Sequence, residues 1–455
     1  MRDVIVFILI TVFFGSGLFS RFMALIAYWW FGIFRPHDWV WNDLIASLRL
    51  PLVAAALLVI PSLMQGIYPT FKGAICKLAA TFLTFILIAK ITTGCMPISS
   101  FRSDMWFQFS VLIFVILLTV KMTNTTTRFF WLTATVGLSL AFHAGKAGIS
   151  SLIGVGGTYY GASTMTGPFT GSNGFALGSA VLLFFNLYLL SSFKNGNIKA
   201  FLPDSLSKAW MITIAKIGLW ILVIGIAYNV ISLFSRGSFL AMCGGLVLWL
   251  MLNSLLKFKH ILLAIPIIFL TFQFAPLPDG FKDRISSAFV DEEEGQELDR
   301  SAASRPHFWN IAFLIAKDYP QGVGPGCYNT MYPVYDSSNG FYGRFRTVHS
   351  SHFQVLAEGG FIGVILWLSL FFVSVKQMLF IRRRNKEYAD DKEKFFYYSS
   401  ANMIIASQAV FFVGGAFYAQ AYNDIIWLIW ALSASLHLIY IKNSDKKEQT
   451  NDNGR

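Results

Sequence analysis

The sequence predicts an all-α membrane protein with about twelve transmembrane helices, and three observations support this fold class. Only 13% of the 455 residues are charged, whereas about 25% are charged in a typical soluble domain. Apolar residues make up 55% and include 45 Phe and 13 Trp, as expected for a chain surrounded largely by lipid. The apolar residues also occur in long runs. These features exclude an ordinary soluble enzyme, a disordered protein and a secreted disulfide scaffold.

A spanning helix needs about 20 mostly apolar residues, and twelve runs approach that length. The runs are Val4–Ser20, Leu44–Met64, Gly73–Ala89, Trp106–Val120, Phe129–Ala144, Phe175–Ser192, Trp210–Phe234, Gly237–Leu256, Ile261–Ala275, Phe353–Phe380, Ser399–Tyr418 and Ile425–Ile441. Phe22–Phe34 is apolar but short, which fits a re-entrant or interfacial piece or the second half of a bent first span. No cleavage-type small-residue site follows the first run, so it predicts a retained anchor.

The distribution of Lys and Arg predicts the orientation of the spans, because short cytoplasmic loops are rich in these residues. The basic residues of several short loops and of both termini lie on one side of the predicted membrane: Arg2, Lys121, Arg128, Lys194, Lys199, Lys208, Lys257, Lys259, Arg382, Arg383, Arg384, Lys386, Lys392, Lys394, Lys442, Lys446, Lys447 and Arg455. That side is predicted to be the cytoplasm, and it includes the C-terminus. The net charge of +12 is therefore attributed to cytoplasmic loops and not to nucleic-acid binding.

The opposite side receives one long loop, which divides the chain into four parts. Residues 1–275 form the first nine spans, 276–352 the loop, 353–441 the last three spans and 442–455 a polar tail predicted to be disordered. A loop of this length is uncommon unless it has a function. Arg305–Asp318 has helical apolar spacing, and Gln321–Gly326 has the composition of a turn. The loop is therefore predicted to form a cap of short helices.

The sequence predicts no metal site, no cofactor and no disulfide framework. Cys76, Cys95, Cys243 and Cys327 lack paired spacing. Cys95 and Cys327 could lie on one face of the membrane, but no bond between them is predicted. The acidic run at 291–294 has the character of a solvated loop.

Basic side chains and histidines on the outer side are candidates for chemistry. Arg236 lies between two apolar runs, where a guanidinium costs roughly 2.5–3.5 kcal/mol; it either binds phosphate oxygens or snorkels to the headgroups. Arg305 opens the predicted loop helix. Arg346 and Lys146 are candidate accessory cations.

His349 lies where the loop becomes the tenth span, and an imidazole suits proton transfer near neutral pH. His352 is predicted to lie on nearly the same helical face, either assisting or packing. The glycines Gly360 and Gly363 allow close backbone approach between helices. Together, the arginines would bind a diphosphate and stabilise it as it departs, while a neutral His accepts the proton of an attacking hydroxyl. The chemistry is therefore predicted to be metal-independent.

These residues resemble the signature of the O-antigen ligases. His349 and Ser350, nine further residues, then Gly360 and Gly363 match the pattern of the family. Ser-Arg-Gly at 235–237 is similar to its membrane-edge arginine, and Arg305 to its second arginine site. Residues 34–39, Phe-Arg-Pro-His-Asp-Trp, resemble a subgroup that includes protein O-glycosylation ligases.

The resemblance implies an inverting glycosyltransferase of the GT-C type in the bacterial inner membrane, with its active site facing the periplasm. The implied donor is a glycan on undecaprenyl diphosphate, and the implied acceptor is the sugar of lipid A–core. His349 would be the base, and Arg236 and Arg305 would bind the diphosphate. O-antigen polymerases and protein O-oligosaccharyltransferases use the same donor and stay open as alternatives. A flippase or transporter for the lipid-linked glycan is a more remote one, since the spans are nearly free of charge and show no repeat.

Overall fold

The computed structural model describes residues 2–39, 50–96, 105–155, 170–255, 304–387 and 391–452. These residues form helices, turns and loops, and no strand. The α-helices are α1 (Arg2–Phe19), α2 (Arg21–Ile33), α3 (Leu50–Met64), α4 (Ala74–Thr93), α5 (Met105–Met122), α6 (Thr126–Leu152), α7 (Gly171–Ser192), α8 (Ala209–Ser232), α9 (Arg236–Leu252), α10 (Arg305–Asp318), α11 (Tyr328–Tyr335), α12 (Ser351–Arg384), α13 (Lys392–Gly415) and α14 (Asp424–Asp452).

Within this part of the chain, six helices are long and apolar enough to cross a membrane: α4, α5, α7, α8, α12 and α14. The apolar helices α1, α2, α3 and α9 are shorter. The predicted span Ile261–Ala275 lies outside the described residues, so the count of twelve stays a prediction. The segment at 22–34 forms α2, and most of its side chains are buried in the bundle.

The helices differ in how much of their apolar surface the protein itself covers. In an apolar stretch of 18 residues within each helix, 89% of the residues are buried in α7 and 72% in α14. In α8 only 22% of the corresponding residues are buried. Since α8 leaves most of its apolar side chains uncovered, it is suited to a lipid-facing position, and α7 and α14 are central helices. The indoles of Trp367 in α12 and of Trp427 and Trp430 in α14 pack together between these two helices, with ring centroids 4.9–6.1 Å apart.

Residues 304–350, here called the cap, pack on the end of the bundle where α9 and α12 begin. This is called the cap end. The predicted helix Arg305–Asp318 is confirmed with those bounds. The cap has an apolar cluster of its own, which includes Phe308, Ile311, Ala312, Ile315, Val323, Tyr328 and Tyr332. The cap is therefore a packed unit and can hold its polar residues in fixed positions.

Two expectations from the sequence are corrected. Cys95 and Cys327 form a disulfide, with their Cα atoms 6.3 Å apart, and it ties the chain after α4 to the cap. The pairing was not predicted because the two cysteines are 232 residues apart in the chain, and the spacing of cysteines indicates only pairs that are close in sequence.

The tail predicted to be disordered from residue 442 instead continues α14 as far as Asp452. Lys and Glu have good helix propensity, and the buried apolar part of α14 provides a preformed helix to extend. Asn443 donates to the Tyr397 hydroxyl over 3.0 Å, and Lys447 lies 2.8 Å from the Glu393 carboxylate.

Candidate active site

Arg236 and Arg305 line one cavity at the cap end, although 68 residues separate them in the chain. Arg236 is the first residue of α9 and Arg305 the first of α10. The lining residues are Asn173, Phe234, Ser235, Arg236, Gly237, Ser238, Arg305, Gly414, Phe417 and Tyr418. The start of α9 adds the partial positive charge of a helix N-terminus. The cavity therefore combines two guanidinium groups with hydroxyl and amide groups, a set suited to an oxyanion.

The ring of Phe417 brings the two arginine segments together. A Cβ built on Gly237 would come within 2.8 Å of Phe417 Cδ2, so the glycine after Arg236 is needed for the ring to lie there. The guanidinium of Arg305 stands over the same ring, with Cζ 5.4 Å from the centroid. This cation–π contact holds Arg305 at the cavity.

His349 precedes Ser350, the N-cap of α12, and lies beside the helix that carries Arg305. Its backbone φ is 49°, an uncommon value for a residue other than glycine. Its ring centroid lies 5.7 Å from that of Phe308, which is three residues after Arg305. Burial, followed by the positive charges of Arg305 and Arg346, lowers the pKa of His349 to about 4. The imidazole is thus neutral at neutral pH and can accept a proton.

The other candidate residues have different surroundings. Arg346 is exposed and acts electrostatically on His349. His352 has both ring nitrogens engaged, since Nε2 donates to the Phe412 carbonyl over 2.9 Å and Nδ1 accepts from Trp367 over 3.3 Å. Of the two roles predicted for His352, these hydrogen bonds favour packing over assistance in the reaction. Lys146 is an exposed residue of α6 and is not among the residues that line the cavity.

Gly360 supports the site through a turn of the cap and not through a neighbouring helix. Its φ of 63° and ψ of −166° interrupt α12. The segment Gln321–Gly326 lies against this kink, as Val323 N and Gly324 N donate to the carbonyls of Ala357 and Glu358 over 3.1 and 2.9 Å. A side chain at Gly360 would collide with the backbone at 320–322.

The cap also contains a polar pair that the sequence did not indicate, formed by His307 and Asp336. His307 Nε2 lies 2.8 Å from Asp336 Oδ1. Burial by itself raises the pKa of Asp336, but hydrogen bonds from Ser338, His307 and Gly340 outweigh it and lower the pKa to about 2. The ionised carboxylate therefore ties α10 to the turn after α11. Nothing in the local sequence around either residue indicates the other.

Asn173, Phe417 and Tyr418 are also part of the cavity wall. They come from the start of α7 and from the loop after α13, and Tyr418 donates to the Thr170 carbonyl over 3.2 Å. Asn173 lies just before the predicted span Phe175–Ser192, whereas no pattern in the sequence points to Phe417 or Tyr418. Within the described ranges no group of three His, Cys, Asp or Glu could hold a metal ion, and the acidic run at 291–294 lies outside them. Metal independence stays a prediction.

Comparison with known families gives two matches. Residues 220–368 match the model of a family described as O-Antigen ligase, and residues 1–184 match that of a family of unknown function. No curated protein matches the chain. The first match includes Arg236, Arg305, His349 and Gly360. It supports membership of the O-antigen ligase/polymerase superfamily, and it suggests, with the apolar helices, a glycosyltransferase-like enzyme that is a multi-pass membrane protein.

Proposed function

From the superfamily membership that residues 220–368 support, we propose that this protein is an inverting glycosyltransferase at the periplasmic face of a bacterial inner membrane. It transfers a glycan from undecaprenyl diphosphate to the sugar of lipid A–core. The observation that carries the proposal is that Arg236 and Arg305 line one cavity, while His349, which is not among its lining residues, packs against Phe308, three residues after Arg305, with ring centroids 5.7 Å apart.

The proposed reaction uses these three residues in two roles. A hydroxyl of the acceptor sugar gives its proton to the neutral His349, and its oxygen attacks the anomeric carbon of the glycan. The bond from that carbon to the phosphate oxygen breaks, and its electron pair leaves with undecaprenyl diphosphate. Arg236 and Arg305 stabilise the negative charge that develops on the departing group. Attack from the side opposite the diphosphate inverts the configuration of the carbon.

Binding of the donor also favours the base. In the unliganded protein burial, together with the nearby positive charges, keeps the pKa of His349 low. A diphosphate held by Arg305 offsets one of these positive charges, which favours the imidazolium and raises this pKa. We therefore expect His349 to become a stronger base when the donor is bound.

Two features support a periplasmic position for the cap. The helix α12 begins beside His349 and ends at Arg382, Arg383 and Arg384, and clusters of basic residues favour the cytoplasmic side. The cap also contains one half of the disulfide between Cys95 and Cys327. Structural disulfides persist in the periplasm and are rare in the cytosol.

The test is glycan transfer by the purified protein with undecaprenyl-diphosphate-linked glycan and one of three additions: lipid A–core, an acceptor protein, or no acceptor. Transfer to the core sugar is expected. Lengthening of the lipid-linked chain alone would indicate a polymerase, and transfer only to an added protein would indicate a protein-directed enzyme. No transfer to any acceptor would contradict the proposal.

The variant His349→Ala tests the base within the same assay. Because general-base catalysis contributes typically 10²–10⁴-fold, the turnover number should fall by about that factor. Donor binding should persist, since both arginines remain. An active His349→Ala variant would remove the base from the mechanism.

A further inference from the structure

A buried carboxylate, that of Glu358, lies between the cap and the loop after α13. The residue is near the start of α12, just before the kink at Gly360, and is only 1% exposed. A carboxylate is costly to bury unless hydrogen bonds compensate for the lost water. The partners of Glu358 therefore indicate what it does.

On one side, Glu358 holds the cap. Its Oε1 accepts a hydrogen bond of 3.2 Å from the backbone N–H of Tyr328, the first residue of α11. The hydroxyl of Tyr328 donates in turn to the carbonyl of Phe308 in α10, over 2.9 Å. Two hydrogen bonds thus connect Glu358 to the helix that begins with Arg305.

On the other side, Glu358 holds a wall of the arginine cavity. Its Oε2 accepts from Gln354 Nε2 over 3.4 Å, and Gln354 Oε1 accepts from the backbone N–H of Ala421 over 3.1 Å. Ala421 belongs to the loop that also contains Phe417 and Tyr418. The same loop is held by Ser351, whose hydroxyl donates to the Tyr418 carbonyl over 2.7 Å.

We propose that Glu358 is a positioning residue that fixes Arg305 and the loop with Phe417 relative to His349. The inference rests on the proposed function, because it concerns the geometry of that reaction. The carboxylate is required because Glu358 accepts in both directions. Gln354 already uses its own oxygen for Ala421, so it can offer only its NH₂ group to position 358.

The experiment exchanges the two side chains. In Glu358→Gln, the new amide must direct its NH₂ group at either the N–H of Tyr328 or the NH₂ of Gln354, so a donor faces a donor. In the double variant Gln354→Glu/Glu358→Gln, the amide at position 358 accepts from Tyr328 and donates to the carboxylate at position 354. The second oxygen of that carboxylate accepts from Ala421, and the chain of hydrogen bonds is complete again.

Glycan transfer is measured for the three proteins as kcat and as the KM of the donor. A displacement of about 1 Å can cost about 100-fold in rate, so kcat of Glu358→Gln should fall by roughly 10- to 100-fold. Because a buried donor left unsatisfied is destabilising, the melting temperature should also fall, and kcat is therefore taken per folded molecule. The double variant should recover most of the kcat. A purely structural role would move the melting temperature and the amount of folded protein, and leave kcat per folded molecule unchanged.

A second readout is independent of catalysis. In a Cys76→Ser/Cys95→Ser/Cys243→Ser background, Cys327 is the one remaining cysteine, and its full burial makes it a reporter of cap seating. Thiol labelling of Cys327 should be faster in Glu358→Gln than in the background protein, and slow again in the double variant.

Several outcomes would overturn the proposal. One is a Glu358→Gln variant whose kcat and labelling rate equal those of the protein that keeps Glu358. Another is a folded double variant that is as impaired as the single one. If Glu358→Gln fails to fold, the double variant alone decides, by its kcat and its labelling rate. If the unsubstituted protein transfers no glycan, the proposed function fails, while the labelling rates still decide whether Glu358 positions the cap.

Discussion

Each end of α9 meets an arginine, and the two arginines have different surroundings. At the end away from the cap, Arg382 donates to the carbonyl of Leu252 over 2.7 Å, to Asn402 Oδ1 over 3.0 Å and to the Tyr398 hydroxyl over 3.2 Å. It therefore caps the C-terminus of α9. At the cap end, Arg236 starts the helix and shares a cavity with Arg305, and the described residues that line this cavity include no carboxylate.

The comparison shows that the position of an arginine at a helix end does not by itself indicate its role. Arg382 has a carbonyl, an amide and a hydroxyl oxygen arranged around it, so its hydrogen bonds serve the fold. The cavity of Arg236 and Arg305 places two positive charges beside serine hydroxyls and a helix N-terminus, which together favour an anion. The first arrangement predicts an effect on stability when it is disturbed, and the second an effect on catalysis.

Among the changes that test this comparison, the largest effect is expected from Arg236→Lys, with Arg382→Lys as its matched control. Lysine keeps the charge but lacks the planar fork that binds two phosphate oxygens. A hydrogen bond between charged groups is worth about 1.5–3 kcal/mol, so kcat/KM for the donor should fall by roughly 10- to 100-fold. Arg382→Lys should lower the melting temperature and leave kcat/KM per folded molecule nearly unchanged.

Both variants are measured in the same transfer assay, with folded protein quantified by size-exclusion chromatography. Unchanged kcat/KM in Arg236→Lys would indicate an arginine that only snorkels to the headgroups. Equal loss in both variants would show that the two ends of α9 do not differ in the proposed way.

The sequence predicted the parts of the site but not how they meet. Arg305–Asp318 was predictable as a helix because its apolar spacing is local, and His349 could be named as a candidate base from its position where loop becomes span. The contact of Phe417 with Gly237 and Arg305 and the bond between Cys95 and Cys327 join segments far apart in the chain. Such pairs depend on tertiary packing, which no local pattern reports.

The role of Gly360 shows the same limit. Its place in the motif was visible, and close backbone approach was expected from a glycine. Its conformation and its neighbour were not predictable, because both depend on the segment Gln321–Gly326 lying in the kink of α12.

A smaller effect is expected on the pH dependence when Arg346 is replaced. His349 must be neutral to accept a proton, so kcat/KM should fall as the pH decreases through its pKa of about 4 in the unliganded protein. Arg346→Gln removes a positive charge that disfavours the imidazolium. The pKa of His349 should rise, and the acidic limb of the kcat/KM profile should move to higher pH.

The control is Arg346→Lys, which keeps the charge and should leave the limb in place. A limb that moves equally in both variants would indicate that the shape of the side chain, and not its charge, acts on His349. A limb that moves to lower pH in Arg346→Gln would contradict the assignment of His349 as the base.

The smallest effect, no change in turnover, is expected on treatment with a chelator. Enzymes that use a divalent ion at a diphosphate do so because the ion neutralises charge on the departing oxygens. Arg236 and Arg305 are proposed to provide this neutralisation through two cationic groups placed in one cavity. Activity should therefore persist in EDTA, measured after dialysis against the chelator and compared with samples given Mg²⁺ or Mn²⁺. Loss of turnover that is restored by a divalent ion would show that the guanidinium groups are insufficient, and it would remove the distinction drawn between the two ends of α9.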